Sequence, residues 1–252
     1  MAWVESQSEY FHCRHSSAQQ RDAAQLLVVL ERLRERTAEL FPRQLASFTV
    51  VLHDSPTSLA LSNPGMALRW RLVAPSSRRY VTGWSGAREL HVLSPGALRA
   101  RADGTTGSFE MLRLTPASLY LRRIVAESNL ELAATRAPAR QLLEARWSWL
   151  LEGSSRWLSG ESEYAREVVR GRVRNGERIA FPPAPRDAPL LAPTLMEVLA
   201  RQQGEAAVAR ISTRLPAAGA RAALTRAFDG RSLMNIESDW RRYLQEVAYP
   251  QH

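Results

Sequence analysis

Val125-Ala126-Glu127-Ser128-Asn129-Leu130 and, about one helical hairpin downstream, Trp149-Leu150-Leu151-Glu152-Gly153 are the two stretches on which the fold turns. Each sets a single carboxylate into a run of apolar and small residues with helical periodicity. Thr115-Pro116, a cap residue followed by proline, opens the first helix, expected over about 117–135. Pro138 breaks it, and a second helix is expected over 139–158. From 115 onward the pattern stays almost wholly helical. A proline-rich loop, Phe181-Pro182-Pro183-Ala184-Pro185, precedes helices expected at 193–203, 205–214, 217–228 and, behind a serine cap, 232–247.

Upstream the pattern is mixed. Alternation at 9–14 suggests a first strand, and 18–40 reads as a helix whose Ala24, Leu27, Val28, Leu30 and Leu33 form one apolar stripe, ended by Pro42. Strands are expected at 47–52, around 67–73, at 79–83 and at 89–93, separated by turn residues. The expected class is α+β: a mixed or antiparallel sheet with a packed helix over 1–114, then a helical lobe over 115–252. The candidate cleft lies between them.

Composition narrows the function classes. The chain has 252 residues, 45% of them hydrophobic, enough for one large core or two lobes sharing a cleft. Formal charge is +9, and with no lysine in the sequence every strong base is arginine. The arginines alternate with acids, as in Glu31-Arg32-Leu33-Arg34-Glu35-Arg36, which suits a solvated helix more than a polyanion-binding face. An arginine-rich polyanion binder is thus a lesser reading, and no nucleic acid is expected. Cys13 is the single cysteine, so no intramolecular disulfide and no thiolate zinc cluster can form. The apolar runs are far short of the ~20 residues a membrane-spanning helix needs, so a soluble chain is expected.

The two acid-bearing stretches carry a resemblance. Trp149, Glu152 and Gly153 form W-x-x-E-G, followed by Ser155 and Trp157 and running on into Leu158-Ser159-Gly160. This pairing resembles a gluzincin metallopeptidase domain of the peptidase MA-like kind. Phe48-Thr49-Val50-Val51-Leu52-His53-Asp54-Ser55 is similar to that family's early strand and turn, and Ala227-Phe228-Asp229-Gly230 through Asp239-Trp240-Arg241-Arg242-Tyr243-Leu244 to its closing helix. The resemblance implies a zincin, thermolysin-like fold over nearly the whole chain. It sets Glu127 at the general-base position, Glu152 at the third zinc-ligand position, and Ala126 and Leu130 where the two histidines of H-E-x-x-H would stand. Neither of those side chains has a lone pair for zinc, and a catalytic site needs three protein ligands. The expectation is therefore a catalytically inactive domain without a cofactor, whose cleft binds a peptide or protein segment or serves as a scaffold. Many relatives of this type are exported, so an exported domain with its signal removed is a further expectation.

An active hydrolase is the alternative, using other metal ligands, which would bring zinc back, or the Glu127 and Glu152 pair as metal-free acid and base. Placed together by the resemblance, one of the two acids would hold a proton or the pair would recruit a positive partner, with Arg123 and Arg146 as candidates to bridge them. His12 and His15 flank Cys13 on a strand, where Cys13 and His15 share a face. His53, before Asp54-Ser55-Pro56, reads as a surface turn histidine, and terminal His252 completes the five. His91 is a candidate ligand-binding histidine near the cleft edge. Trp147, Trp149 and Trp157 crowd one expected helix and read more readily as core, with Trp149 also a cleft candidate. Trp84, in Thr82-Gly83-Trp84-Ser85-Gly86, falls where peptidases of this shape place the sheet edge that holds an extended substrate.

Overall fold

Alternation builds the sheet: in Phe11–Ser16, Phe11, Cys13 and His15 are buried while the residues between them face outward. The computed structural model describes residues 3–41, 47–63, 65–86, 88–102, 104–135, 139–176, 178–213 and 218–250. Pro42, Pro138 and His252 lie outside them, as does the side chain of Leu130. The chain is an α+β protein. Its strands are β1 (Trp3–Gln7), β2 (Phe11–Ser16), β3 (Phe48–His53), β4 (Gly83–Ser85) and β5 (Glu89–Leu93), in the order β1-β2-β3-β5-β4. The central β2, β3 and β5 are mutually parallel, and the two edge strands run antiparallel to their neighbours. The first strand thus begins at Trp3, ahead of the expected one, as an exposed edge that forms a hairpin with β2.

Helix α1 (Gln20–Thr37) follows a short 3-10 turn at Ser17–Gln19, burying Ala23, Leu27, Leu30 and Leu33 against the sheet. The link from β3 to β4 holds α2 (Pro56–Ser62), α3 (Gly65–Leu72) and α4 (Pro75–Arg78). Two expectations fail here. The strand anticipated around 67–73 is helix α3, and that at 79–83 is a turn and irregular chain leading from α4 into the short β4. Leu68-Arg69-Trp70-Arg71-Leu72 alternates with period two, but Met66, Trp70 and Val73 also recur at helical spacing, and it is these that pack inward. Pro75 opens α4, and Ser55, expected in a turn, caps α2 by accepting a hydrogen bond from the Ser58 amide at 3.1 Å.

After β5 come α5 (Pro95–Arg101), α6 (Ser108–Arg113), α7 (Thr115–Ser128), α8 (Leu130–Ala134), α9 (Ala139–Arg146) and α10 (Ser148–Leu158). Each of the two helices expected over 117–135 and 139–158 is therefore broken. Asn129 is extended between α7 and α8, its amide donating to Val125 O at 2.6 Å and to Ser212 O at 2.8 Å. This caps the end of α7 from within. Trp147 interrupts the second helix between α9 and α10. The chain closes with α11 (Glu161–Tyr164), α12 (Arg166–Arg174), α13 (Ala188–Gln203), α14 (Glu205–Thr213), α15 (Ala220–Ala227) and α16 (Leu233–Ala248). α13 starts five residues earlier than its expected start at 193, with Pro193 inside it. Ser232 caps α16 as expected, its hydroxyl 3.3 Å from the Asn235 amide.

One cluster of buried residues runs from Phe11 and Val50 in the sheet through Leu119 and Ile124 of α7 to Leu150, Leu195 and Trp240. α7 thus lies between the sheet and α10, and α10 packs in turn on α13. Gly153 lets α10 approach α13: a Cβ there would meet the Ala192 carbonyl oxygen at 2.9 Å. Gly153→Ala is expected to cost roughly 1–3 kcal/mol by overpacking this crossing, read as a lower denaturation midpoint with unchanged m-value. An unchanged midpoint would mean that the crossing has slack. Among the described residues, no helix is long and apolar enough to cross a membrane.

Candidate functional site

Trp149, Glu152, Gly153 and Arg156 lie on α10, and Glu152 turns its carboxylate into the protein interior, where it is 4% exposed. A buried carboxylate needs partners, and here it has three. Arg69 of α3 donates from Nη2 to Oε1 at 2.8 Å, Arg122 of α7 places Nε 3.3 Å from the same oxygen, and Arg156 donates from Nε to Oε2 at 3.0 Å. Arg156 also pairs with buried Glu161 and donates to Tyr80 O at 3.3 Å. Burial alone would raise the Glu152 carboxyl, but the charges of Arg69, Arg156 and Arg122 outweigh it and hold it down at about 2. Burial pushes Glu161 the other way, above the usual carboxylate range, against the pull of Arg156.

The network continues to Glu127. Arg122 donates to Glu144 at 2.9 Å, Arg140 bonds Glu144 at 3.0 Å and approaches Glu127 at 3.4 Å, and Arg123 pairs with Glu127 one turn along α7. The expected charge compensation is present in a different form. Arg123 pairs with Glu127 beside Arg140 and not with Glu152, and Arg146 is exposed at the end of α9 with its guanidinium against Gly219. The two acids are joined through Arg122, Glu144 and Arg140, and among the described residues no single guanidinium pairs with both. Helical spacing could have revealed Arg156, four residues after Glu152. Arg69, 83 residues away in sequence, left no such signal.

Zinc does not fit these residues. Ala126 presents a buried methyl group, and the extended backbone at Asn129 removes Leu130 from the helix that carries Ala126. Both Glu152 oxygens are taken by guanidiniums, whose positive charge opposes a dication. Among the described residues, no group of three or more His, Cys, Asp or Glu side chains is arranged to hold a metal. Glu152, with both oxygens held by guanidiniums that keep it ionised, is not suited to be the proton donor of an acid and base pair.

The other candidates separate. Trp149 is core, 2% exposed, with its ring 6.2 Å from that of Trp147, so it offers no cleft surface. His53 is buried, not a surface turn residue as expected: its Nε2 lies 3.0 Å from His91 Nδ1, and burial together with His91 pushes it down to about 4. His91 Nε2 in turn lies 3.2 Å from Glu89, and the Trp84 ring stacks on the His91 ring at 4.2 Å. This relay is engaged within itself, on the sheet face opposite the buried Leu90 and Val92. Cys13 and His15 do share a face, but burial drives the thiol up to about 12, and the His15 nitrogens meet Ser6 and Ser16. A cavity of about 540 Å³ opens elsewhere, at the ends of β3 and β5, lined by Leu52, Leu93, Leu98, Phe109 and Arg113 among others. In comparison with known proteins, no family model, curated protein or solved structure matches the chain.

Proposed function

We propose that the chain is a catalytically inactive, metal-free domain of the gluzincin metallopeptidase-like kind, acting as a scaffold or binding a peptide or protein segment. The observation that carries this reading is the cage around Glu152. At the position that the resemblance gives to a zinc ligand, Arg69, Arg122 and Arg156 supply the positive charge a metal would otherwise provide. Two further features support it. Ala126 is a buried methyl group beside Glu127, and α7 packs against β4, an antiparallel edge strand that carries Trp84. An edge strand offers unpaired backbone groups to which an extended peptide can add.

The α2–α3 segment bears on how such a peptide would enter. Trp84 donates its indole N–H to Ser62 at 2.9 Å, Trp70 donates to Val81 O at 2.8 Å, and Arg69 crosses to Glu152. The segment thus fastens the strand edge to α10, and peptide entry past Glu152 would require Arg69 to let go. The test is elemental analysis joined to a peptidase assay on the purified full chain. Zinc well below stoichiometric, and no hydrolysis beyond background on addition of zinc, are expected. Stoichiometric zinc, lost together with hydrolysis in Glu152→Gln, would replace this reading with that of an active enzyme.

A further inference from the structure

α3 has apolar side chains on both of its faces. Met66 is buried, Trp70 packs on the core, Val73 just beyond the helix is buried, and Arg69 on the same side reaches Glu152; these positions follow i, i+3, i+4 and i+7 spacing. On the outward side, Leu68 and Leu72 stand four apart and are 58% and 67% exposed, and Leu61 at the end of α2 is 79% exposed. Exposed leucines grouped on the outer side of a helix ordinarily mark a surface that meets protein or lipid. α3 is enclosed on one side only.

The segment that contains it carries one sign of charge. Residues 55–88 contain no Asp or Glu and hold Arg69, Arg71, Arg78, Arg79 and Arg88. Arg71, Arg78 and Arg88 are exposed. Elsewhere on the surface several arginines are matched by acids on their own helices, as in Glu197 with Arg201 on α13 and Glu237 with Arg241 on α16. Exposed leucines beside arginines with no acid among them complement an apolar layer under negative headgroups.

We propose that the outward face of the α2–α3 segment docks on an anionic lipid bilayer, Leu61, Leu68 and Leu72 entering the acyl boundary and Arg71 and Arg78 facing the headgroups. The leucines project from helices and line neither the cavity beside Phe109 nor a smaller one under Tyr243, whereas a peptide partner would need a groove to receive it. On the inward side, Met66, Trp70 and Arg69 fix the segment to the protein, so the face is presented without having to order on contact. This inference is independent of the peptidase-like reading.

The experiment is cosedimentation of the full chain with phosphatidylcholine vesicles, either alone or with about a third phosphatidylserine. Binding to the second and not the first is expected, weakening steeply with salt. Leu68→Ser with Leu72→Ser is expected to weaken it at least about tenfold, with an unchanged melting temperature because both leucines are exposed. Arg71→Gln is expected to weaken it roughly fivefold. No binding to the anionic vesicles, or equal binding by the leucine variant, would overturn the proposal. So would a dimer in sedimentation that the leucine variant dissolves, which would assign the face to a second copy of the chain.

Discussion

Glu152→Gln is expected to destabilise the protein by roughly 3–5 kcal/mol, because it strips the shared counter-charge from three guanidiniums. For a chain of this size that corresponds to a fall in melting temperature on the order of 10 °C. The pH dependence carries the same information. In the unfolded chain the carboxyl titrates at its ordinary 4.5 and in the folded protein at about 2. The stabilisation, about 3 kcal/mol by linkage, is therefore complete above about pH 4.5 and drains away as the pH falls toward 2. Glu161, raised by burial, contributes with the opposite sign and in a different window: its destabilising effect is relieved as the pH falls toward 4.5, before the Glu152 contribution begins to drain away. Urea denaturation of wild type and variant from pH 6 to pH 2 measures this directly: the two curves should converge at the acid end. Parallel curves, or a variant as stable as wild type at pH 6, would mean that the guanidiniums do not depend on Glu152.

Gly83→Val is expected to cost about 3 kcal/mol or more by overpacking at the strand edge. A Cβ at position 83 would lie 2.6 Å from the His91 carbonyl oxygen, 2.7 Å from Leu119 Cδ1 and 2.8 Å from Val92 Cγ1. The first of these is backbone of the neighbouring strand and cannot rotate away, and the second is where α7 presses on β4. The strand should separate from β5, unstacking Trp84 from His91. Hydrogen exchange at residues 83–85 and 91–93 should accelerate well beyond the global loss of stability. Protection unchanged from wild type would show that β4 is not held by this contact.

The α+β class, α1, β3, β5, α14 and the Ser232 cap follow from patterns that act over one or two turns or a single strand. Of the expected stripe, Leu27, Leu30 and Leu33 are buried as one face, whereas Ala24 and Val28 point outward and Ala23 is buried in their stead. Residues 67–73 could not be decided in the same way. Leu-Arg-Trp-Arg-Leu satisfies two periods at once, and the choice fell to Trp70 and Arg69, whose partners Val81 and Glu152 are supplied by other parts of the chain. Asn129 reads as one more helical residue until its amide finds Ser212 on α14.

The sequence by itself determined that Ala126 and Leu130 bring no metal ligand, because side-chain chemistry is a local property, whereas the burial that makes Glu152 need positive company came with the fold. Tertiary structure alone decided what that company is. Arg69, Arg122 and Arg156 arrive from three helices, and a buried carboxylate is satisfied by whichever guanidiniums the packing of α3, α7 and α10 brings within about 3 Å. Distance along the chain carries no record of that convergence.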